Sequence, residues 1–449
     1  MNPVVRASSN LIAVQTSDAQ GNYELVVVVD HHYQDDNKEL DAGALFVLKS
    51  EGSWIHCGYH LTTSIVSPPL LSLPFAFASL GWLAGLTCLT MGAIVTFYSY
   101  NLISLVLEHH AQLGRRLLRF RDMAHDILGP DWGRYYVGPV QLIVCFAVVI
   151  TNVLLAGQCM ETVYLLSNPE NKSMKLCHFL MIFGGLLLIL AQIPSFHSEA
   201  HQPHFSGNSS NAPPKDYTIK GDPVNRVFSV FNAIAIIATT FGNGIIPEIQ
   251  ATLAAPVKGK MLKGLSICYV VVLITFFGVA ISGYWAFVRA GVLVDKNGNS
   301  LVPGWFLLLT NVLVLLQLSA VSVIYLQPTN ELLEGQFSDP KSPELSPRNV
   351  IPRFISRSLL VVFAVIVAAT LPFFGDIIAL IGALGFMPLD FMLPVLFYNL
   401  TFKQPKQGPI FWLNITIFVV FSIFAAIAAV TAVRQLSLDA TTYQLFSNV

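Results

Sequence analysis

The chain has 449 residues, 54% of them hydrophobic and only 11% charged, with a mean hydropathy of +0.62. A soluble domain of this size commonly carries about a quarter charged residues, so most of this protein's surface must face lipid. The net charge of −1 leaves no basic field for nucleic acid.

Residues 1–53 are polar and acidic in net balance, and are expected to form a largely disordered tail on the cytoplasmic side. The apolar run Leu25–Val29 is too short to span. Residues 1–22 lack an apolar core flanked by basic residues, so insertion is expected to start from an internal span. Segments apolar enough to cross about 30 Å of hydrocarbon follow at 58–79, 82–106, 137–163, 176–196, 228–251, 265–288, 304–326, 358–374, 377–400 and 409–433. Residues 54–433 thus read as one transmembrane domain of about ten spans, with 434–449 a short C-terminal tail. Unpaired backbone amides in hydrocarbon cost several kcal/mol, so the predicted fold is an all-α membrane bundle. The six cysteines, Cys57, Cys88, Cys145, Cys159, Cys177 and Cys268, lie singly in or beside apolar segments without metal-ligand spacing. They read as small buried hydrophobes rather than a disulfide framework or zinc site, and no cofactor is implied.

Lysines and arginines in short loops set the orientation. Arg115, Arg116, Arg119, Arg121 and Arg134 follow the second span, and Lys258, Lys260 and Lys263 lie at 252–264. Lys341, Arg348, Arg353 and Arg357 lie at 327–357, and Lys403 and Lys406 at 401–408. All four loops read as cytoplasmic. Between the first and second, however, only three spans occur, which places two basic loops on opposite faces. The sequons Asn171-Lys172-Ser173 and Asn208-Ser209-Ser210 are likewise divided by one span. A span is therefore expected to be missing near 197–207.

Two spans carry breaks. In the first, Ser67-Pro68-Pro69 removes two amide donors and disfavours the helical region before each proline, so the helix is expected to unwind near Ser64–Pro69. Thr62, Thr63, Ser64 and Ser67 can then line a polar pocket. In the segment 228–251, Thr240-Phe241-Gly242-Asn243-Gly244, followed by Pro247, favours a second unwound stretch. Paired interruptions in two halves of a chain point to a transporter site. Half-helix N-termini offer N–H groups to a substrate carboxylate, and freed carbonyls accept from its ammonium, so the site suits a zwitterionic amino acid.

Ionisable residues at membrane depth are functional candidates. Glu248, just past the second break, and Asp390, inside 377–400, are the proton-coupling candidates; the alternative is a carboxylate paired near a helix end. Asp376 lies near the start of that last span, and His60 reads as a structural hydrogen-bonding residue. Asn152, Gln317 and Ser319 either face the pocket or hydrogen-bond between helices. Phe241 either covers the aliphatic part of a ligand or fills the bundle.

At these residues the chain resembles the amino acid/auxin permease family, and within it the plant proton-coupled γ-aminobutyrate transporters. The resemblance rests on Gly58–Pro74, Leu118–His125, Thr240–Gln250 with Pro256–Lys260, Leu318–Val321, Tyr325–Asn330 and Leu371–Asp376. It covers about 52–449 and implies an inverted-repeat bundle of the APC/LeuT type, with discontinuous spans 1 and 6, eleven spans and a cytoplasmic N-terminus at the plasma membrane. It also implies proton-driven import of γ-aminobutyrate and related ω-amino compounds. Relatives run into a fifth span after Pro194–Ser198, where this chain has the polar Glu199–Gly207. A chain short of that span is expected to be a splice or gene variant with little or no transport.

The alternatives are a broader neutral amino acid or proline permease, or a non-transporting amino-acid receptor on the same scaffold. No spaced carboxylate pair or nucleophile–base pattern inside the spans suggests an enzyme, and no filter-like repeat suggests a channel.

Overall fold

Prolines and glycines set where the helices of this chain begin and bend. The computed structural model describes residues 12–17, 23–28, 52–115, 117–167, 174–192, 223–254, 257, 259–287, 304–339, 342–343, 346–370, 379–403, 405 and 408–442. Within 1–53, read from sequence as a disordered tail, strands β1 (Ile12–Ser17) and β2 (Tyr23–Val28) pair antiparallel, with Ile12 opposite Val28. Everything else regular among the described residues is helical.

Helix α1 (Trp54–Ile65) is capped by Ser53, whose hydroxyl accepts from the His56 amide at 3.3 Å. It stops before Ser67, whose extended backbone (φ −120°, ψ 166°) leads into a 3₁₀ turn at Pro68–Ser72. Helix α2 (Leu73–Gln112) follows at once and bends at Gly81, whose φ of 79° and ψ of 174° suit glycine alone. The stretch from Pro69 to Gln112 thus carries the second half of the first predicted span as well as the second. Next come α3 (Phe120–Ile127), α4 (Pro130–Ser167) and α5 (Leu176–Ala191). Then α6 (Pro223–Phe241) and α7 (Ile246–Ala251) flank the second break. The remaining helices are α8 (Lys260–Phe287), α9 (Gly304–Phe337), α10 (Pro347–Thr370), α11 (Ala379–Thr401) and α12 (Pro409–Thr442). By length and composition, eight helical stretches among the described residues suit membrane crossing, and α5 is a shorter apolar helix. The region 327–357, read from sequence as a loop, is largely helical: α9 continues to Phe337 and α10 begins at Pro347.

Helices α1, α2, α6 and α8 form one packed set, and α4, α5, α9 and α10 form another, with α11 touching both α4 and α6. Small residues allow the closest approaches. A Cβ added at Gly264 of α8 would sit 3.0 Å from the Gly58 nitrogen and 3.1 Å from the Trp54 carbonyl oxygen of α1. Both obstacles are backbone, so Gly264→Val is expected to push α8 off α1 and to cost about 1–3 kcal/mol. A lowered midpoint in thermal unfolding of the purified chain would show it.

The bundle has two distinguishable ends. His109 at the end of α2 packs against Phe402 just past α11, with centroids 4.9 Å apart and the rings tilted by 49°. This end also carries the arginine loop before α4. Chain entry to α1 pairs there with chain exit from α7: the Gly52 amide donates to the Thr252 carbonyl at 2.8 Å, and the Ala254 amide to the Gly52 carbonyl at 2.9 Å. Helix α5 ends here too, where Arg357 donates to the Ala191 carbonyl at 2.8 Å. Helix α6 begins at the opposite end, where the Arg434 guanidinium of α12 lies 4.5 Å from the Phe228 ring centroid. The segment 193–222, which contains the site of the predicted missing span, lies outside the described residues, as do Asp376 and the sequons.

Candidate functional site

The two breaks meet. Asn243, fully buried, donates from Nδ2 to the Ser64 hydroxyl at 2.8 Å, so the end of α1 and the unwound link between α6 and α7 are joined by side chains. Gly244 within the link takes a φ of 66°, a left-handed conformation that glycine adopts without strain. Three of the link's carbonyls are claimed by neighbouring helices. Tyr100 of α2 donates to the Phe241 carbonyl at 2.8 Å, Tyr325 of α9 to the Asn243 carbonyl at 2.9 Å, and Gln141 of α4 to the Gly244 carbonyl at 3.0 Å. At the first break, Gln317 of α9 donates to the Val66 carbonyl.

The freed amides are claimed as well. Asp390 is fully buried and accepts from the Asn243 amide at 3.1 Å through one carboxylate oxygen and from the Gly244 amide at 3.0 Å through the other. This differs from the sequence expectation, in which such amides stood open to a substrate. Asp390 reaches them because α11 departs from α-helical geometry between Gly382 and Met392, a π-helical stretch that contains Pro388. Such wide turns often mark functional sites. Gly382 lets α11 lie close on α6, since a Cβ there would collide with the Ala235 carbonyl and the Thr239 hydroxyl.

Glu248 sits one turn below, 6% exposed in a helix, α7, that is otherwise apolar but for Gln250. One oxygen accepts from Gln141 Nε2 at 2.7 Å and from the Phe120 amide at 3.3 Å, while Oε2 has no partner. Gln141 therefore ties the unwound link and Glu248 together with a single amide group. A small polar cavity lined by Arg119, Arg121, Gln141, Glu248 and Glu331 separates Glu248 from a charged cluster. In that cluster, Glu331 pairs with Arg119 and lies 3.5 Å from Arg121, whereas Glu334 lies 2.6 Å from Arg357 and 3.1 Å from Arg353.

The other sequence candidates fall into three groups. Thr62, Thr63 and Thr240 turn their hydroxyls onto their own helices, donating to the carbonyls of Gly58 (2.7 Å), Tyr59 (3.0 Å) and Ile236 (2.8 Å). Ser319 does the same to Leu315 at 2.8 Å. These hydroxyls do not converge on the break. Ser67 is buried in the gap between the helical pieces, and Asn152 is buried in α4 with Nδ2 unpartnered. Phe241 and Gly242 are packing positions: Phe241 is fully buried against Phe276, centroids 5.0 Å apart, and Gly242 lies under the Phe386 ring. Sequence reasoning missed Gln141, Tyr100, Tyr325 and Phe386.

A membrane bundle with two broken helices clasped around buried, partly unpartnered polar atoms defines a membrane transporter of small solutes. The chain belongs to the family of transmembrane amino acid transporter proteins, whose pattern matches residues 50–200 and 208–435. It is thus a transporter and not an enzyme. It is 60% identical to GABA transporter 1 of Arabidopsis thaliana over 435 positions, covering 91% of this chain and 96% of that protein. It is 27% identical to Lysine histidine transporter-like 1 of the same plant, over 432 positions that cover 91% of this chain and 94% of that one. An alignment of 435 positions that takes in 91% of 449 residues leaves about two dozen positions of the relative without a counterpart here.

Proposed function

We propose that this chain carries the binding machinery of a proton-coupled importer for γ-aminobutyrate and related ω-amino compounds, at the plasma membrane with its basic end cytoplasmic. The observation that carries the reading is the Ser64–Asn243 bond joining the two breaks, with Asn243 Oδ1 and Glu248 Oε2 buried and unpartnered beside it. Orphaned buried acceptors are rare in a finished fold, and a substrate ammonium supplies the donors they lack. The 60% relative supports γ-aminobutyrate over a broader amino-acid range. Two buried carboxylates, Asp390 and Glu248, supply proton carriers, and the polar cavity beyond Glu248 leads toward the basic end.

Transport by this chain is expected to be weak. Helix α5 ends at the basic end and α6 starts at the other, with residues 193–222 between them in sequence. The run Glu199-Ala200-His201-Gln202-Pro203-His204 within them is polar, and charged residues at the bilayer centre cost about 2.5–3.5 kcal/mol each on the insertion scale. The test is uptake of labelled γ-aminobutyrate into oocytes with and without a protonophore, beside a version given an apolar span after His197. Protonophore-sensitive uptake restored by the added span is the expected result. Glycan mapping is expected to find Asn171 modified and Asn208 mostly bare. Saturable uptake by the chain as it stands, with a glycan on Asn208, overturns the impairment. Current-free binding by the restored version would favour a receptor.

Within the site, Asn243→Ala removes the clasp to Ser64. It is expected to weaken γ-aminobutyrate binding by about 1–3 kcal/mol, the range for leaving a buried polar partner unsatisfied. Equilibrium binding to the purified chain measures it.

A further inference from the structure

We propose that Asp390 is a built-in stand-in for the substrate carboxylate, holding the Asn243 and Gly244 amides until a proton displaces it. The proposal rests on the reading that substrate binds at the two breaks, and adds the event that opens the site. Both carboxylate oxygens of Asp390 are engaged, one per amide, at 3.1 and 3.0 Å. A substrate carboxylate presents the same two oxygens at the same spacing, so the amides can serve one carboxylate or the other. The groups facing Asp390 are the phenols of Tyr100, Tyr269 and Tyr325 and the thiol of Cys145. Tyr100 and Tyr325 donate to the carbonyls of the same link, Tyr100 lying within side-chain reach of the Asp390 carboxylate as well, and Tyr269 donates to the Thr96 hydroxyl at 2.7 Å.

With Asp390 ionised, an arriving carboxylate would meet both occupied amides and a second negative charge a few ångströms away, in a fully buried site. Like charges so placed do not both remain ionised. A proton on Asp390 removes the charge and converts one of its two acceptors into an O–H donor. At least one link amide is then released, and the new O–H can donate to the incoming carboxylate. Substrate and proton therefore enter as a pair, and the ammonium end meets Asn243 Oδ1, which is buried without a partner. Asp390 acts here as a coupling residue through the amides it vacates.

The test has a ligand-free arm and a ligand arm, both on the full chain in nanodiscs. Asn–Gly pairs occur in this sequence only at Asn243-Gly244 and Asn297-Gly298. Carbonyl-¹³C asparagine with ¹⁵N glycine thus leaves two amide cross-peaks, and Gly298 serves as the internal control. Between pH 4 and 8 the Gly244 peak is expected to titrate in one step, and not to titrate in Asp390→Asn. Added γ-aminobutyrate is expected to move the Gly244 peak, with an apparent affinity that rises by up to about tenfold per pH unit of acidification in the unaltered chain. In Asp390→Asn that affinity should be flat with pH and near the acid value. A Gly244 peak that ignores pH, or titrates identically in Asp390→Asn, overturns the proposal while leaving the substrate site standing if γ-aminobutyrate still moves the peak. A peak that titrates but ignores γ-aminobutyrate overturns both. Should Asp390→Asn fail to fold, Asp390→Glu, which keeps the charge and moves it, is expected to shift the pH midpoint; an unshifted midpoint also overturns the proposal.

Discussion

Glu334→Ala is expected to destabilise the purified chain by about 3–5 kcal/mol, the cost of breaking a buried ion pair by removing one partner. Glu334 is 1% exposed and is the carboxylate shared by Arg353 and Arg357, which are 7% and 3% exposed. Truncation leaves two guanidiniums buried beside each other, with Arg357 still tied to the last carbonyl of α5. Glu334→Gln keeps the shape and loses the charge, so it should fall between the two. Thermal unfolding in detergent reads both variants, and a loss below about 1 kcal/mol, the range of surface pairs, would mean that the cluster is wetter than its burial indicates. Arg357→Ala in the Glu334→Ala background should recover part of the loss, since it removes one of the two cations that Glu334 pairs.

Gly242→Ala is expected to abolish γ-aminobutyrate binding while the chain still folds. A single methyl group at this position points into the Phe386 ring of α11, and overpacking a tight core costs about 1–3 kcal/mol. That strain falls on the residue before Asn243 and pushes the link away from Asp390, so binding should suffer more than stability. Phe386→Ala placed in the same chain should restore binding, because it removes the obstacle. Saturation binding on the two single variants and the double variant tests the pair; additive losses would show that Gly242 and Phe386 do not act through one contact.

The breaks themselves were legible. Consecutive prolines after Ser67 and the glycines around Asn243 dictate unwinding by backbone chemistry alone, and charges inside apolar runs singled out Glu248 and Asp390. What the side chains do there was not legible. Asp390 and its amide partners are 147 and 146 positions apart, and nothing local in 377–400 says that a π-helical stretch will turn its carboxylate onto another helix. Gln141, Tyr100 and Tyr325 are neutral residues inside apolar helices, where any one of them reads equally as packing. The Glu331–Glu334 cluster was hidden for a different reason. Apolar runs stop where charges begin, although α9 continues to Phe337 and α10 starts at Pro347, so charges that belong to buried helix ends read as a loop. Thr62, Thr63 and Thr240 show the opposite limit: a hydroxyl near a break is as well satisfied by a carbonyl one turn back as by a ligand.

The short backbone pairing between Gly52 and Thr252–Ala254 ties the two broken helices together a second time, away from the breaks. It fastens the entry to α1 and the exit from α7, the two half-helices that close the site from the basic end. Neither can swing aside alone without giving up two main-chain hydrogen bonds, so a displacement of one half-helix is expected to carry the other with it.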